Sequence, residues 1–211
     1  MPPVTKTTRV SPADRKELIV ATALRLVTEH GIQGTTIERL ATEAGMSQGG
    51  IYRYFHSRTE ILLAVVDRIF EQIFALYVVE PGTDPLEQLR EIARRHTLLM
   101  SDEAHSFARP WLEFIAAAPR VGMREAVAEK QRTAVVVMAE IVDRGKDYGS
   151  VRPDLDSRQL AWEILSWCWG ENVSSTMALD EFIDEGRSSR MIDILLADAA
   201  LNEAPAGEAA G

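Results

Sequence analysis

Residues 47–58 combine side chains that form directional hydrogen bonds with few apolar ones. The segment is SQGGIYRYFHSR, in which Ile51 and Phe55 are the clearly apolar residues. Gln and Arg can form paired hydrogen bonds with adenine and guanine edges, while Tyr hydroxyls and helix N-termini suit phosphates. Gln48, Arg53 and Tyr52 are therefore candidates for binding nucleic acid. An ordinary solvated helix surface is the alternative that these residues leave open by themselves.

Two helix starts are predicted on either side of this segment. Thr35 with Glu38, and Ser57 with Glu60, have the spacing of a capping box. In that motif a hydroxyl and a carboxylate satisfy the backbone N–H groups that a helix start leaves without partners. We therefore expect one helix to begin near residue 35 and a longer one to begin at residue 57.

A turn and a second short helix are predicted between those starts. Gly45 follows the run IERLATEA and suits the left-handed residue that ends a helix. Ser47 can cap the helix that follows. Ile51 and Phe55 are four residues apart, so they share one side of that helix and can anchor it to a core. Two helices around a short turn containing Gly form a helix-turn-helix, which places its second helix in the DNA major groove.

Residues 14–62 resemble the DNA-binding domain of the tetracycline-repressor (TetR) family of bacterial regulators. The resemblance is specific because it involves many positions over roughly fifty residues. The chain departs from the family pattern at Val27, Gly50 and Arg58, where an aromatic residue, Thr or Ser, and Lys are usual. The matching residues are Ile19, Ala23, Leu24, Glu29, Gly31, Thr35, Thr36, Ile37, Leu40, Ala41, Ala44, Gly45, Ser47, Tyr52, Tyr54, Phe55, Ser57 and Leu62.

The resemblance implies an all-α protein with an N-terminal helix-turn-helix DNA-binding domain followed by a helical bundle. In this family the bundle binds a small-molecule effector and forms a homodimer, and the effector weakens binding to double-stranded operator DNA. Together with the hydrogen-bonding residues above, it identifies the expected DNA contacts. These are Thr35, Thr36, Ser47, Gln48, Gly49, Tyr52, Arg53, Tyr54 and Arg58.

Charge is distributed unevenly along the chain. The 211 residues carry a net charge of −9. Residues 1–60 contain eight Lys and Arg against six Asp and Glu, whereas residues 61–211 contain 15 against 26. We call residues 1–60 the head and residues 61–211 the body. A mildly basic head on an acidic body is expected when the head alone contacts phosphates, because the acidic body repels DNA.

Other features of composition indicate a cytoplasmic protein. No apolar run approaches the length of about 18 residues that crosses a membrane. The N-terminus MPPVTKTTRVSPADRKE lacks the apolar core of a signal peptide. Cys168, the single cysteine, has no basic neighbour in sequence. It is therefore expected to be a buried, inert thiol, and a redox sensor is the alternative.

Four regions are predicted along the chain. Residues 1–10 are expected to be a disordered arm, which in some regulators contacts the DNA backbone, and residues 11–58 the DNA-binding domain. Residues 59–200 are expected to be the ligand-binding and dimerisation domain, and residues 201–211 a disordered tail. Helices are expected from Ser11 to about residue 30, from residue 57 to about 77, and over 84–100, 104–117, 123–146, 157–178 and 187–200.

An apolar stripe in the body could line an effector pocket. Phe107, Trp111 and Phe114 have helical spacing and share one side. Ligand pockets are mostly apolar with a few polar groups, but a helical bundle needs such a stripe for its core in any case. The candidates for ligand binding are His96, Met100, Phe107, Trp111, Phe114, Met138 and Trp162.

Three tryptophans near residue 165 cannot all lie on one side of a helix. Trp162 and Trp169 are seven residues apart and share a side, whereas Trp167 points elsewhere. A helix that is apolar on more than one side is either deeply buried or part of a subunit interface. The family resemblance favours a homodimer through 157–178 and 187–200, and burial within one subunit is the alternative.

The function expected is therefore a ligand-responsive transcriptional regulator, most simply a repressor released from a palindromic operator by a small, largely apolar effector. A dimeric DNA-binding regulator whose body binds a protein partner is the alternative, and a helical enzyme is a weaker one. No Gly-rich phosphate loop, HExxH motif, metal-ligand spacing or nucleophile elbow supports catalysis. We accordingly expect no enzyme activity, no cofactor and no metal.

Overall fold

Helices build the described part of this protein. The computed structural model describes residues 11–101, 107–184 and 186–201, and within these ranges the backbone forms ten helices and no β-sheet. They are α1 Pro12–Gly34, α2 Ile37–Glu43, α3 Gln48–Tyr52, α4 Arg58–Ala75, α5 Pro85–Met100, α6 Ala108–Ala117, α7 Arg124–Tyr148, α8 Ser157–Thr176, α9 Asp180–Asp184 and α10 Arg187–Ala199. The expected all-α class is confirmed. The expected arm over 1–10 and residues 202–211 of the expected tail lie outside the described ranges.

Helix α1 begins and breaks where the sequence predicted. Ser11 and Asp14 form a reciprocal capping box, with both N–H···O distances 3.1 Å, and Pro12 occupies the first helical position. Gly31 has φ 68° and ψ 172°, which interrupts the helix before one last turn ends at Gly34. The positive φ favours glycine at this position, and a Cβ there would lie 2.8 Å from Glu113 Oε1, so the Glu113 carboxylate would have to shift.

The two capping boxes expected near residues 35 and 57 are both corrected in detail. Thr36, not Thr35, caps α2, and its side chain accepts a hydrogen bond from the Arg39 N–H at 3.2 Å. Thr35 instead donates to the Gly31 carbonyl, because the break in α1 leaves that oxygen without its helical partner. The N-cap of α2 is therefore Thr36, one residue after the expected Thr35.

At the start of α4, half of the expected box is present. Ser57 Oγ accepts from the Glu60 N–H at 3.1 Å. The Glu60 carboxylate accepts from the His56 N–H at 2.6 Å, one residue before the expected donor. The helix then ends at Ala75 rather than near Tyr77.

Between α8 and α10 lies a short helix that the sequence analysis did not predict. Helix α9 has five residues, too few to show a helical apolar period, and it forms because Ile183 is buried and Phe182 packs against the core.

Helix α6 begins at Ala108, whereas 104 was expected, and residues 102–106 lie outside the described ranges. A single antiparallel bridge joins Val151 to Ala200.

One continuous apolar core runs from the helix-turn-helix into the body. Helix α1 packs against α4 and α6, so the first helix of the head contacts the body directly. Helices α5, α7, α8 and α10 pack together to form the rest of the body. Gln88 and Arg95 of α5 donate to the backbone carbonyls of Tyr77 and Leu76, which fastens the C-terminal end of α4 to the body. Among the described helices, none has the length and apolar character required to cross a membrane.

Arg58 stabilises the joint between α1, α2 and α4. Its Nε donates to the Thr35 carbonyl at 2.8 Å, and its Nη2 donates to the Ile32 carbonyl. Both carbonyls follow the break at Gly31, and the Ile32 carbonyl also accepts the Thr35 N–H at 3.3 Å. The guanidinium, expected from sequence to contact phosphate, is thus committed to backbone oxygens of its own chain.

We expect Arg58→Met to lower the free energy of unfolding by about 1.5–3 kcal/mol, because hydrogen bonds from a charged group are lost while the alkyl length is kept. Arg53→Met, the same substitution at a nearby exposed position, is the matched control and should change stability little. Urea unfolding followed by circular dichroism measures both. Equal stabilities of wild type and Arg58→Met would contradict the structural role.

Candidate nucleic-acid interface and buried cavity

The turn between α2 and α3 has the geometry of a helix-turn-helix. Gly45 is left-handed with φ 62°, and the Met46 N–H donates back to the Ala41 carbonyl at 2.8 Å. This pairing closes the end of α2 and reverses the chain. Ser47 then caps α3 by accepting from the Gly50 N–H at 3.0 Å. The roles expected for Gly45 and Ser47 are both confirmed.

Helix α3 has one buried and one exposed side. Ile51 of α3 and Phe55, three residues after the helix ends, are both buried in the core, as predicted. Gln48, Tyr52 and Arg53 are exposed, and Tyr52 retains 46% of its accessible surface although it is aromatic. An exposed row of amide, phenol and guanidinium groups on the second helix of such a unit can form hydrogen bonds with DNA bases and phosphates.

The remaining expected DNA contacts divide into two groups. Thr36, Ser47 and Gly49 are exposed beside α3, and Tyr54 is half-buried against the core. Thr35 is 2% exposed with its hydroxyl donating to Gly31, so its side chain is removed from the set of candidates. Arg58 is half-buried and holds the α1–α2 joint, which leaves it a structural rather than a primary DNA-binding role.

Arg15 is a candidate that sequence reasoning missed. A cleft of about 630 Å³ separates the start of α1 from the start of α3, and Arg15, Ser47 and Arg53 border it. Two guanidinium groups at one cleft favour a phosphate oxygen there. The positions are 38 residues apart, and the packing of α1 on the helix-turn-helix brings them together.

A small cavity lies inside the body between α4, α5, α6, α7 and α8. Its volume is about 30 Å³, enough for a water molecule. Rings from Phe70, Phe107 and Trp111 form much of its apolar wall, and the Phe70 and Trp111 ring centroids are 5.1 Å apart at 85°. His96, Gln131 and Asn172 supply polar groups to the same wall.

A buried hydrogen-bond network adjoins this cavity. Glu171 is fully buried, and its carboxylate meets His96 Nδ1 at 2.7 Å and accepts from the Thr97 hydroxyl at 2.8 Å. The Ser188 hydroxyl donates to the same carboxylate, and Trp167 Nε1 donates to Ser188 Oγ at 2.9 Å. The network connects the cavity wall on α5 with α8 and α10. Sequence analysis missed Glu171 because an isolated Glu on a helix shows no sign of burial.

Two weakly acidic groups in the cavity wall are held in their neutral forms. Burial raises the pKa of the Tyr77 hydroxyl above its ordinary value, and the nearby Cys168 adds to the effect. Burial also raises the pKa of the Cys168 thiol, with a further contribution from Glu171. A buried thiol with a raised pKa is a poor nucleophile, in agreement with the inert role expected for Cys168.

The seven candidates for ligand binding are not all brought together. His96, Phe107 and Trp111 line the cavity. Met100, Phe114 and Met138 are almost fully buried and line neither the cavity nor the neighbouring surface groove, so as lining residues they are corrected to core residues. Their helical positions point to the interior, but sequence periodicity does not distinguish a solid interior from a hollow one.

Trp162 lies on the surface groove instead. This groove, of about 800 Å³, runs between α6, α7 and α8, and its apolar wall includes Ile115 and Val127. The Trp162 and Trp169 ring centroids are 6.3 Å apart, and both rings border the groove, whereas Trp167 is buried within the subunit. Trp111, Gln131 and Trp169 line both the groove and the buried cavity, so the two spaces are adjacent.

Comparison with known proteins agrees with this arrangement. Residues 19–65, which contain α2, α3 and the start of α4, match the family described as bacterial regulatory proteins, tetR family. The structure of a TetR transcriptional regulator from Chloroflexus aurantiacus superposes with a TM-score of 0.77 at 20% identity, covering 90% of this chain and 98% of that one. Residues 19–65 therefore carry the helix-turn-helix domain of the TetR family.

Two relatives extend the comparison in sequence. The HTH-type transcriptional repressor KstR2 of Mycolicibacterium smegmatis is 26% identical over 176 residues, covering 74% of this chain and 80% of that protein. The nucleoid occlusion factor SlmA of Actinobacillus pleuropneumoniae is 36% identical over 77 residues, which covers 36% of this chain and 38% of that protein. These similarities identify a DNA-binding transcriptional regulator with a TetR-type helix-turn-helix.

Proposed function

We propose that this TetR-family regulator is a homodimeric repressor that binds a palindromic operator through α3 and is released from it by a small, largely apolar effector. One observation carries the proposal. Gln48, Tyr52 and Arg53 are exposed along and directly after α3, whereas Ile51 of the same helix is buried in the core. The repressor KstR2, similar over most of both chains, supports the direction of regulation.

The recognition unit comprises α2, the turn after it and α3, and each of its exposed side chains has a proposed role. Gln48 and Arg53 contact base edges, because their planar groups form paired hydrogen bonds with adenine and guanine. Tyr52 contacts a phosphate, as do the hydroxyls of Thr36 and Ser47 and the backbone at Gly49. Tyr54 packs against the core next to α3, and its proposed contact is with the DNA backbone.

The proposed dimer surface lies on α8 and α10. Met177, Met191 and Ile194 are large apolar side chains that retain 63%, 48% and 60% of their accessible surface. They lie on neighbouring helices, since Trp167 of α8 contacts Ser188 of α10. An isologous pairing of two such surfaces would bury these side chains and place two recognition helices at successive major grooves.

The proposed switch acts where α6 contacts the head. Glu113 Oε1 accepts a hydrogen bond from the Ile32 N–H at 2.9 Å, just after the break at Gly31. Trp111, two residues earlier on α6, lines the buried cavity. An effector that displaces Trp111 therefore moves the helix that holds the α1–α2 joint. It releases DNA only if it binds the DNA-incompetent arrangement more tightly.

The first test of this function concerns base recognition. Gln48→Ala and Arg53→Ala should each change the preferred base at one position of the selected operator by about 1–3 kcal/mol, because paired hydrogen bonds to a base edge are lost. Tyr52→Phe should weaken binding to all sequences alike. Selection from random duplexes, followed by affinity measurements over a range of salt, distinguishes these effects. Selection of no common motif, or an affinity that ignores salt, would refute operator binding.

The second test concerns assembly. Ile194→Glu should give monomers that lose operator binding, because the dimer would bury an unpaired carboxylate. Val136→Glu is the matched control, a β-branched residue on α7 that is 44% exposed and outside the proposed surface. Sedimentation velocity at micromolar concentration measures both. A wild type that sediments as a monomer, or an Ile194→Glu variant that stays dimeric, would contradict the assignment.

The third test concerns the switch. Glu113→Ala removes the acceptor for the Ile32 N–H, whereas Glu113→Gln retains an oxygen acceptor. With a molecule selected for raising the melting temperature, the ratio of operator affinities without and with that molecule should fall toward one in Glu113→Ala and persist in Glu113→Gln. Fluorescence anisotropy of labelled operator gives the ratio. An unchanged ratio in Glu113→Ala would exclude this hydrogen bond from the coupling.

A further inference from the structure

Asn172 is a buried polar side chain whose amide oxygen has no hydrogen-bond partner. It is 2% exposed and lines the cavity. Among the described residues it is the one buried side-chain nitrogen or oxygen atom without a partner. A buried acceptor left without a donor is costly, so such atoms in proteins are commonly matched by water or a ligand. The feature indicates that a donor is brought into this cavity.

The neighbouring wall specifies the charge of that donor. No Lys, Arg, Asp or Glu is among the described residues that line the cavity. Tyr77 and Cys168 are neutral, since burial raises the pKa of each. His96 is the remaining titratable residue, and its Nδ1 is occupied by Glu171. A charged ligand would lose its hydration in this wall without gaining a counter-ion.

The shape of the wall favours a ring. Phe70 and Trp111 meet edge to face, and Phe107 contacts His96 with ring centroids 5.9 Å apart. Flat rings in such walls pack well against aromatic or alicyclic hydrocarbon. The cavity of about 30 Å³ is smaller than the roughly 150 Å³ that holds benzene, so a ring can enter only if the wall moves. Gln131 and Trp169 line both the cavity and the adjacent groove, and they are the side chains whose movement would enlarge the cavity toward the groove.

We propose that the cavity binds an uncharged cyclic alcohol or phenol, whose hydroxyl donates a hydrogen bond to Asn172 Oδ1 while its hydrocarbon ring packs against Phe70 and Trp111. The identification of this molecule as the effector rests on the proposed function. The binding site itself does not, because it depends on the cavity wall and on Asn172.

Two isosteric pairs of probes test the hydroxyl directly. Phenol is compared with toluene, and 1-naphthol with 1-methylnaphthalene, each pair exchanging a hydroxyl for a methyl group. Isothermal titration calorimetry on the full-length wild type should show at least tenfold tighter binding of the hydroxyl compound in one pair or both. Asn172→Leu, similar in volume but without an acceptor, should reduce that preference to near one. Equal affinities within both pairs, or no binding of any probe, would overturn the proposal and leave a site for water only.

A second measurement locates the ligand without relying on the variant's folding. In the wild type, the hydroxyl probe should shift side-chain amide resonances of an Asn and quench tryptophan fluorescence, and the methyl probe should not produce the amide shift. A hydroxyl preference that persists in a folded Asn172→Leu variant would place binding elsewhere, such as the open groove, and would also overturn the proposal.

Operator binding separates this inference from the proposed function. If the hydroxyl compound binds at Asn172 but leaves operator affinity unchanged, the site stands and its role as the effector site fails. If operator binding and dimerisation are found but neither pair shows a preference, the regulator stands and the proposed ligand class fails.

Discussion

The break in α1 at Gly31 is the constraint on which the joint between head and body depends. It takes the Ile32 N–H out of the helical hydrogen-bond pattern and leaves the Ile32 carbonyl with the Thr35 N–H at 3.3 Å as its backbone partner, while the Thr35 carbonyl lies just beyond the helix. Unpaired backbone groups are costly wherever water is excluded. Glu113 from α6 accepts from the Ile32 N–H, and Arg58 from α4 donates to the two carbonyls. A carboxylate from α6 and a guanidinium from α4 therefore hold the segment between the break in α1 and the start of α2. A movement of α4 or α6 must carry the recognition unit with it or break these bonds.

The body contains a second constraint of the same kind. A fully buried carboxylate is unfavourable unless several hydrogen bonds replace its hydration, and Glu171 meets His96, Thr97 and Ser188. These partners come from α5 and α10, so one side chain on α8 connects the cavity wall with the helix proposed to face the second subunit. Satisfied buried networks of this type specify a unique packing, because a shifted helix would leave a charge without partners.

Much of the recognition unit was predictable because its determinants are local. Gly45 at a left-handed position, Ser47 as a cap and the burial of Ile51 and Phe55 each follow from the preferences of a few neighbouring residues, although the helix itself ends at Tyr52. The same local rules misplaced the cap of α2 at Thr35. Because the helix breaks at Gly31, the Thr35 hydroxyl donates to the Gly31 carbonyl and does not cap α2. The capping preferences of neighbouring residues do not reveal this break.

The sequence by itself determined the all-α class, most helix boundaries, the family resemblance and the exposed side of the recognition helix, because periodicity and capping act within a few residues. Tertiary structure decided the rest. Arg58, expected to contact phosphate, donates hydrogen bonds to backbone carbonyls of its own chain. Met138 is packed in the core, whereas a cavity lies beside Trp111. Asn172 is buried with its Oδ1 lacking a hydrogen-bond partner. Apolar spacing shows which side of a helix turns inward, but whether that interior is filled or open depends on side-chain volumes from helices far apart in the chain.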